Sequence, residues 1–160
     1  MSRHLCDVNV WLALSLEQHA ARPKAAKWLE SVDEPASILF CRSTQQSFLR
    51  VLTSVSIMAP YGYSALTNGE AWAAFESFMD DDRIAFQADE PLGIERLWED
   101  FATRRIPSPK LWMDAYLGAF AVAAGLTLVT ADQGTRSRPT TKRTPPTTRR
   151  VRPRSPMSPC

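Results

Sequence analysis

Short apolar runs alternate along this chain with longer segments that repeat apolar residues at helical spacing. Runs such as ILF, IAF and LTLV have the length and the β-branched or aromatic content of buried strands. Strands that are separated by helices pair in parallel, because each helix carries the chain back to the same end of the sheet. The sequence therefore predicts an α/β fold with a central, mostly parallel sheet.

The helix limits follow from capping and stop residues. Asn9 could cap a first helix after the opening strand. Thr67 and Glu70 have the spacing of a capping box, Pro91 suits a first helical turn, and Gly125 supplies a left-handed stop. Later helices are predicted over residues 19–31, 43–52, 67–79, 91–103 and 111–124.

Three aspartates fall where such a fold would bring them together. Asp7 and Asp132 each end a short apolar run, and Asp114 lies in the first turn of an apolar helix. The carboxyl ends of parallel strands and the starts of the helices share one edge of the sheet, where these folds bind ligands. Three carboxylates at one edge repel each other unless a cation lies between them. Mg²⁺ and Mn²⁺ prefer carboxylate oxygen, so the pattern indicates a metal site for phosphate-ester chemistry.

Each aspartate also has a structural alternative. Asp7 could cap the first helix, and Asp114 could be a favourable charge near a helix N-terminus. Asp132 could be a turn residue before Gly134. Taken together with the DVN context of Asp7, the three acids favour the metal site.

Four blocks of the sequence carry a resemblance to a known family: LCDVNVWLAL, HAARPKAAKWL, FCRSTQQSFLRVLT and WMDAYLGAFAVAAGLTLVTAD. Over about residues 5–134 they resemble PIN-domain proteins of the VapC toxin type, the ribonuclease half of bacterial toxin–antitoxin pairs. The resemblance implies a three-layer α/β/α fold and an endoribonuclease that depends on Mg²⁺ or Mn²⁺. It implies catalytic and metal-binding roles for Asp7, Asp114 and Asp132. The implied partners are an RNA substrate, a cognate antitoxin and a second copy in a homodimer.

Supporting positions follow from the same resemblance. Asn9 would orient Asp7 or a water molecule, although it could equally serve only as a helix cap. Many PIN domains carry a glutamate where this chain has Ser47, so the site is expected to have three carboxylates. Thr44 is a nearby polar substitute, and Thr130 could hydrogen-bond the site from the last strand.

The end of the chain differs from the rest in composition. Residues 1–132 hold 11 of the 19 Lys and Arg residues and all 17 Asp and Glu residues. The last 28 residues hold 8 basic residues, no acid, and Val151 as their only aliphatic residue. Such a segment cannot bury enough apolar surface to offset its chain entropy, so the composition predicts disorder.

The change in composition divides the chain into two predicted segments and also suggests a rival function. We predict a nuclease domain over residues 1–134 and a disordered basic tail over residues 135–160. The abrupt change in composition is typical of out-of-frame sequence that replaces the last strand. The rival function is an inactive or truncated remnant that only binds an antitoxin or associates with itself.

Other classes of protein are not favoured by the sequence. No apolar run approaches the ~20 residues of a membrane span, and the N-terminus lacks the pattern of a signal peptide, so a cytoplasmic protein with no membrane partner is expected. No glycine-rich phosphate-binding motif is present.

One apolar helix carries a possible partner surface. Trp72, Phe75 and Phe78 recur at helical spacing. They could face the core, or, as the family resemblance suggests, they could form part of a groove for an antitoxin segment.

Overall fold

A four-stranded parallel sheet lies at the centre of the computed structural model, which describes residues 2–131. The strand order is β3-β2-β1-β4, so β4 is an edge strand among the described residues. The strands are β1 His4–Cys6, β2 Ile38–Cys41, β3 Ile84–Gln87 and β4 Thr127–Val129. The helices are α1 Val8–Ser15, α2 Arg22–Glu30, α3 Arg42–Leu52, α4 Val55–Met58, α5 Asn68–Met79, α6 Ile94–Ala102 and α7 Leu111–Ala124, with a 3-10 helix at Ala59–Tyr61.

The strand register separates two cores, one on each face of the sheet. His4 of β1 pairs with Ile38 of β2 and with Thr127 of β4. Along β1 the side chains alternate, so that Leu5 joins the cluster of α6 and α7 while Cys6 joins the cluster of α1, α3 and α5. The predicted three-layer α/β/α arrangement is thereby confirmed, with the first five helices on one face and the last two on the other.

Aromatic rings dominate the larger core. Phe40 of β2 is fully buried, and its ring stacks on that of Trp11 with centroids 3.6 Å apart. Phe48, Phe75 and Phe78 surround the Phe40 ring at tilted or edge-on angles. Such rings bury large apolar areas and prefer these angled contacts, so this cluster fixes α1, α3 and α5 on the sheet.

Several helix ends follow the predicted capping chemistry. The Thr67 hydroxyl accepts from the Glu70 backbone N–H, and the Glu70 carboxylate accepts from the Thr67 backbone N–H at 2.8 Å. These hydrogen bonds lower the pKa of Glu70. At the other end of the domain, Gly125 takes the left-handed conformation with φ of 66° and ends α7, as predicted.

Three of the predicted helix starts were wrong. The first helix is capped by Asp7 and begins at Val8, so Asn9 is not its cap. The second begins at Arg22 rather than at residue 19. The helix predicted from Pro91 begins at Ile94, because Gly93 takes a φ of 80° that interrupts the first turn.

The predicted loss of the last strand and the predicted tail concern residues that lie outside the described range.

No helix within residues 2–131 is long and apolar enough to cross a bilayer.

Candidate functional site

The carboxyl edge of the sheet collects the ends of all four strands and the starts of α1, α3 and α7. Asp7 directly follows β1, and its backbone N–H donates to the carbonyl of Val129 on β4 at 3.0 Å. This bond fixes the end of β1 against the end of β4. Residues that follow either strand therefore share a small region of the surface.

The Asp7 side chain is held by the start of α1. One carboxylate oxygen, Oδ1, accepts from the backbone N–H of Asn9 at 2.9 Å and from that of Val10 at 3.1 Å. These N–H groups form the positive end of the helix, so they stabilise the ionised carboxylate. Asp7 is therefore the cap of α1, as one of its two interpretations predicted, and its role as a metal ligand stays a prediction. Burial raises the pKa of the neighbouring Cys6 thiol, and the negative charge of Asp7 raises it further.

Asp114 reaches the same edge from the layer of α6 and α7. It is exposed in the first turn of α7, ten residues before the helix ends at Ala124. Ten residues of helix span about 15 Å, and the four steps from Gly125 to Val129 span about 13 Å of extended chain. Because α7 packs back along β4 through Leu117 and Phe120, Asp114 lies close to the level of the strand ends.

The third predicted ligand is not among the described residues. Asp132 lies just beyond Ala131, the last residue that the structure describes. Residues 2–131 contain no group of three or more histidine, cysteine, aspartate or glutamate side chains placed to hold one metal ion. The predicted group needs Asp132 as its third member, so the role of the three carboxylates stays a prediction.

The supporting residues occupy three places at this edge. Asn9 and Thr130 are half-buried next to the ends of β1 and β4. Thr44 is buried in the first turn of α3, where its hydroxyl accepts from the Cys41 N–H and donates to the Cys41 carbonyl, both at 3.0 Å. This hydroxyl serves as a helix cap. Ser47 lies one turn further along α3 and is half-buried.

A cation and an aromatic ring lie beside the end of β2. Arg42 is the exposed first residue of α3, and its guanidinium carbon lies 4.7 Å from the ring centroid of Phe86 on β3. The ring holds the guanidinium at the carboxyl edge by a cation–π contact. Arg42 therefore supplies a positive charge at the carboxyl edge that an anionic substrate could meet.

The structure adds a pair of residues that the sequence analysis did not identify. The Tyr116 hydroxyl on α7 donates to Glu90 Oε1 at 2.7 Å, and Glu90 follows β3 at the same edge. Burial raises the pKa of Tyr116, and the hydrogen bond to Glu90 and its negative charge raise it further. The position of Glu90, three residues after an apolar strand, is the sequence feature that could have indicated it.

The possible partner helix α5 divides between core and surface. Phe75 is buried and Phe78 packs against the same aromatic core, whereas Trp72 is 47% exposed. Two of the three residues therefore face the core, and Trp72 alone of this set presents a large apolar surface.

Comparisons with known proteins agree with this architecture. The PIN domain family matches residues 5–139. The chain is 52% identical over 128 residues to Ribonuclease VapC41 of Mycobacterium tuberculosis, an alignment that covers 80% of this chain and 88% of that protein. It is 30% identical over 131 residues to Ribonuclease VapC44 of the same species, covering 82% and 87%.

A solved structure shares the fold at low sequence identity. The crystal structure of Mycobacterium tuberculosis VapC20, described as a sarcin-ricin loop cleaving toxin, superposes with a TM-score of 0.53 and 16% identity, covering 78% of this chain and 85% of that chain. At this identity the likeness shows the fold alone. The family match and the identity to VapC41 are stronger, and this chain belongs to the PIN-domain family, among its VapC ribonucleases.

Proposed function

We propose that this VapC-type endoribonuclease, the toxin component of a type II toxin–antitoxin system, cleaves RNA phosphodiester bonds at the carboxyl edge with Asp7, Asp114 and Asp132 as its catalytic carboxylates. The observation that carries the site assignment is the position of Asp7. Its carboxylate is fixed by two backbone N–H groups at the point where β1 is bonded to the end of β4. Asp132 follows β4 by three residues in the sequence.

The chemistry of these side chains fits a divalent cation. Aspartate oxygens are the ligands that Mg²⁺ and Mn²⁺ prefer, and no histidine or cysteine is needed. Asp7, Asp114 and Asp132 are the residues that would hold the cation. When bound, it would neutralise charge that develops on the phosphodiester and favour ionisation of the attacking water.

The protein's own groups perform the remaining tasks. The cap bonds hold the Asp7 carboxylate in one orientation, so it does not need to be ordered when substrate arrives. Asp114 is exposed on a packed helix and can meet an RNA phosphate region without rearrangement of the core. Arg42 supplies positive charge that attracts the RNA backbone to this edge.

A cleavage assay tests the proposal. We expect RNA cleavage by the purified chain in Mg²⁺ or Mn²⁺, and loss of cleavage in chelator. Asp114→Asn should reduce the rate by orders of magnitude, because it removes the charge and keeps the shape. Asp80→Asn is the matched control: Asp80 is exposed before β3, at the opposite edge of the sheet. Equal cleavage by Asp114→Asn and wild type would refute the site assignment.

The partners are part of the same proposal. We infer that a cognate antitoxin binds this chain in the cytoplasm, that the chain forms a homodimer, and that Mg²⁺ or Mn²⁺ is its cofactor. Expression of the chain alone should then slow bacterial growth, and the Asp114→Asn variant should not. Growth that is unaffected by the wild-type chain, together with no RNA cleavage, would favour the inactive remnant instead.

A further inference from the structure

Two tryptophans form an exposed aromatic cluster at the start of α7. Trp112 is the second residue of α7 and is 52% exposed. Trp98 of α6 packs edge-on against it with ring centroids 6.1 Å apart. The Trp98 Nε1–H also donates to the backbone carbonyl of Trp112 at 2.8 Å. Trp112 is therefore anchored by its neighbour while about half of its surface stays open to solvent.

The cluster is rigid as well as exposed. Trp98 also contacts Tyr116 edge-on at 5.4 Å, and Tyr116 is fixed by its hydrogen bond to Glu90. A large aromatic ring left open to water loses the free energy that its burial would give. A ligand with a flat apolar face recovers that free energy, and a fixed ring loses little entropy when the ligand binds.

The charged residues that precede Trp112 in the sequence indicate the class of ligand. The connector between α6 and α7, residues 103–110, carries Arg104, Arg105 and Lys110 and no acid, and all three cations are exposed. Lys110 lies two residues before Trp112. The groove that Trp98 and Tyr116 help to line carries three acids and Arg96, so its net negative charge would repel a polyanion, whereas the cations of the connector would attract it. The acids of that groove are Glu90, Glu95 and Glu99.

We propose that Trp112 is a stacking platform for an unpaired RNA base, with the connector cations holding the adjoining phosphates. Trp112 precedes Asp114 by two residues, so their Cα atoms are about 5.5 Å apart in a helix. The inference rests on the proposed role of Asp114. Side chains two positions apart lie on different sides of a helix, so an RNA strand with a base on Trp112 would have to follow the first turn of α7 to bring a neighbouring phosphate to that carboxylate. Trp112 is thus a substrate-binding residue for the proposed reaction.

The platform also defines a substrate class. Bases in a duplex are stacked on each other and present no open face, whereas bases of loops and single strands can be splayed onto a protein aromatic ring. Stacking of this kind tolerates any base. The platform therefore selects unpaired RNA without itself selecting a sequence.

Binding of a short labelled single-stranded RNA of mixed sequence, measured in chelator to prevent cleavage, tests the proposal. Trp112→Leu keeps apolar packing against Trp98 but has no flat aromatic face, so Kd should rise about 5- to 100-fold. Trp112→Phe keeps a smaller aromatic face and should retain most of the affinity. Trp72→Ala is the matched control, because Trp72 has similar exposure on α5 in the opposite layer.

Three further readouts separate the proposal from a general loss of structure. RNA should quench tryptophan fluorescence less in Trp112→Phe than in wild type. Lys110→Ala should lower the slope of log K against log salt by about 1. The same sequence as a duplex should bind with an affinity that does not depend on Trp112.

Several results would overturn the proposal. The proposal is wrong if the Trp112→Leu variant binds single-stranded RNA as tightly as the wild-type chain does. Trp112→Leu that disrupts a dimer or an antitoxin complex and leaves RNA affinity unchanged would show that the cluster is a protein contact. Failure of the proposed function is distinguishable: a wild-type chain that binds RNA through Trp112 but never cleaves it would refute the nuclease assignment and support the platform.

Discussion

Substitution of Asp7 separates its role as the cap of α1 from its proposed role as a catalytic carboxylate. Asp7→Asn keeps an oxygen that can accept both the Asn9 and the Val10 N–H bonds, and asparagine caps helices about as well as aspartate. The loss is the interaction between the negative charge and the helix dipole, about 0.3–1 kcal/mol. In a domain of this size that corresponds to a fall in Tm of at most about 4 °C. Asp7→Ala removes the cap as well and should cost about 0.5–2 kcal/mol.

Activity should follow a different order from stability. Both variants lack the carboxylate, so both should lose RNA cleavage by roughly 10²–10³-fold or more, the range for removal of one preorganised group that stabilises charge. Asp7→Ser adds a third case with a good cap and no carboxylate. Thermal unfolding and initial cleavage rates of the three variants test this. Rates that rise and fall with Tm across the series would mean that Asp7 only holds the helix, and the reasoning would be refuted.

Three other outcomes test the fold. Phe40→Ala should lower the free energy of unfolding by about 3–5 kcal/mol in urea titrations, because the Phe40 ring is fully buried between α1, α3 and α5; a loss under 1 kcal/mol would contradict this packing. Burial lowers the pKa of His4, whose buried Nδ1 has no hydrogen-bond partner among the described residues, so the unfolded chain binds the proton more tightly. His4 therefore contributes stability above pH 6.5 that is lost as pH falls below it, and unfolding of His4→Phe should depend less on pH in that window. Deletion of residues 136–160 should leave Tm nearly unchanged, because the composition of that segment predicts disorder; a large loss would show that it contains a structural element.

The fold was predictable where local chemistry decides the outcome. The apolar runs gave the strands, the Thr67 and Glu70 capping box gave the start of α5, and Gly125 gave the end of α7. The errors occurred where two local rules compete. Pro91 favours a first helical turn, but Gly93 two residues later adopts a left-handed conformation and delays α6 to Ile94. Aspartate and asparagine both cap helices well, so Asp7 and Asn9 were both candidates. Because β1 ends at Cys6, the helix begins directly after Asp7, and Asp7 is the cap.

The candidate site was predictable only in part, for a physical reason. The carboxyl edge follows from strand order alone, so the placement of Asp7 after β1 and of Asp114 at the start of α7 needed no coordinates. Contacts between distant segments cannot be derived in this way. The Tyr116 bond to Glu90 joins residues 26 apart, and the Trp98 bond to Trp112 joins residues 14 apart. Both depend on how α6 packs on α7, which periodicity does not specify.

Titration with Mn²⁺ tests the central claim, that three carboxylates at the carboxyl edge act as one metal site. Calorimetry of the wild-type chain should show Mn²⁺ binding that each of Asp7→Asn, Asp114→Asn and Asp132→Asn weakens, because each removes one negative ligand. The Asp80→Asn control at the opposite edge should bind as wild type does. Undiminished Mn²⁺ binding by either Asp114→Asn or Asp132→Asn would contradict the three-carboxylate site.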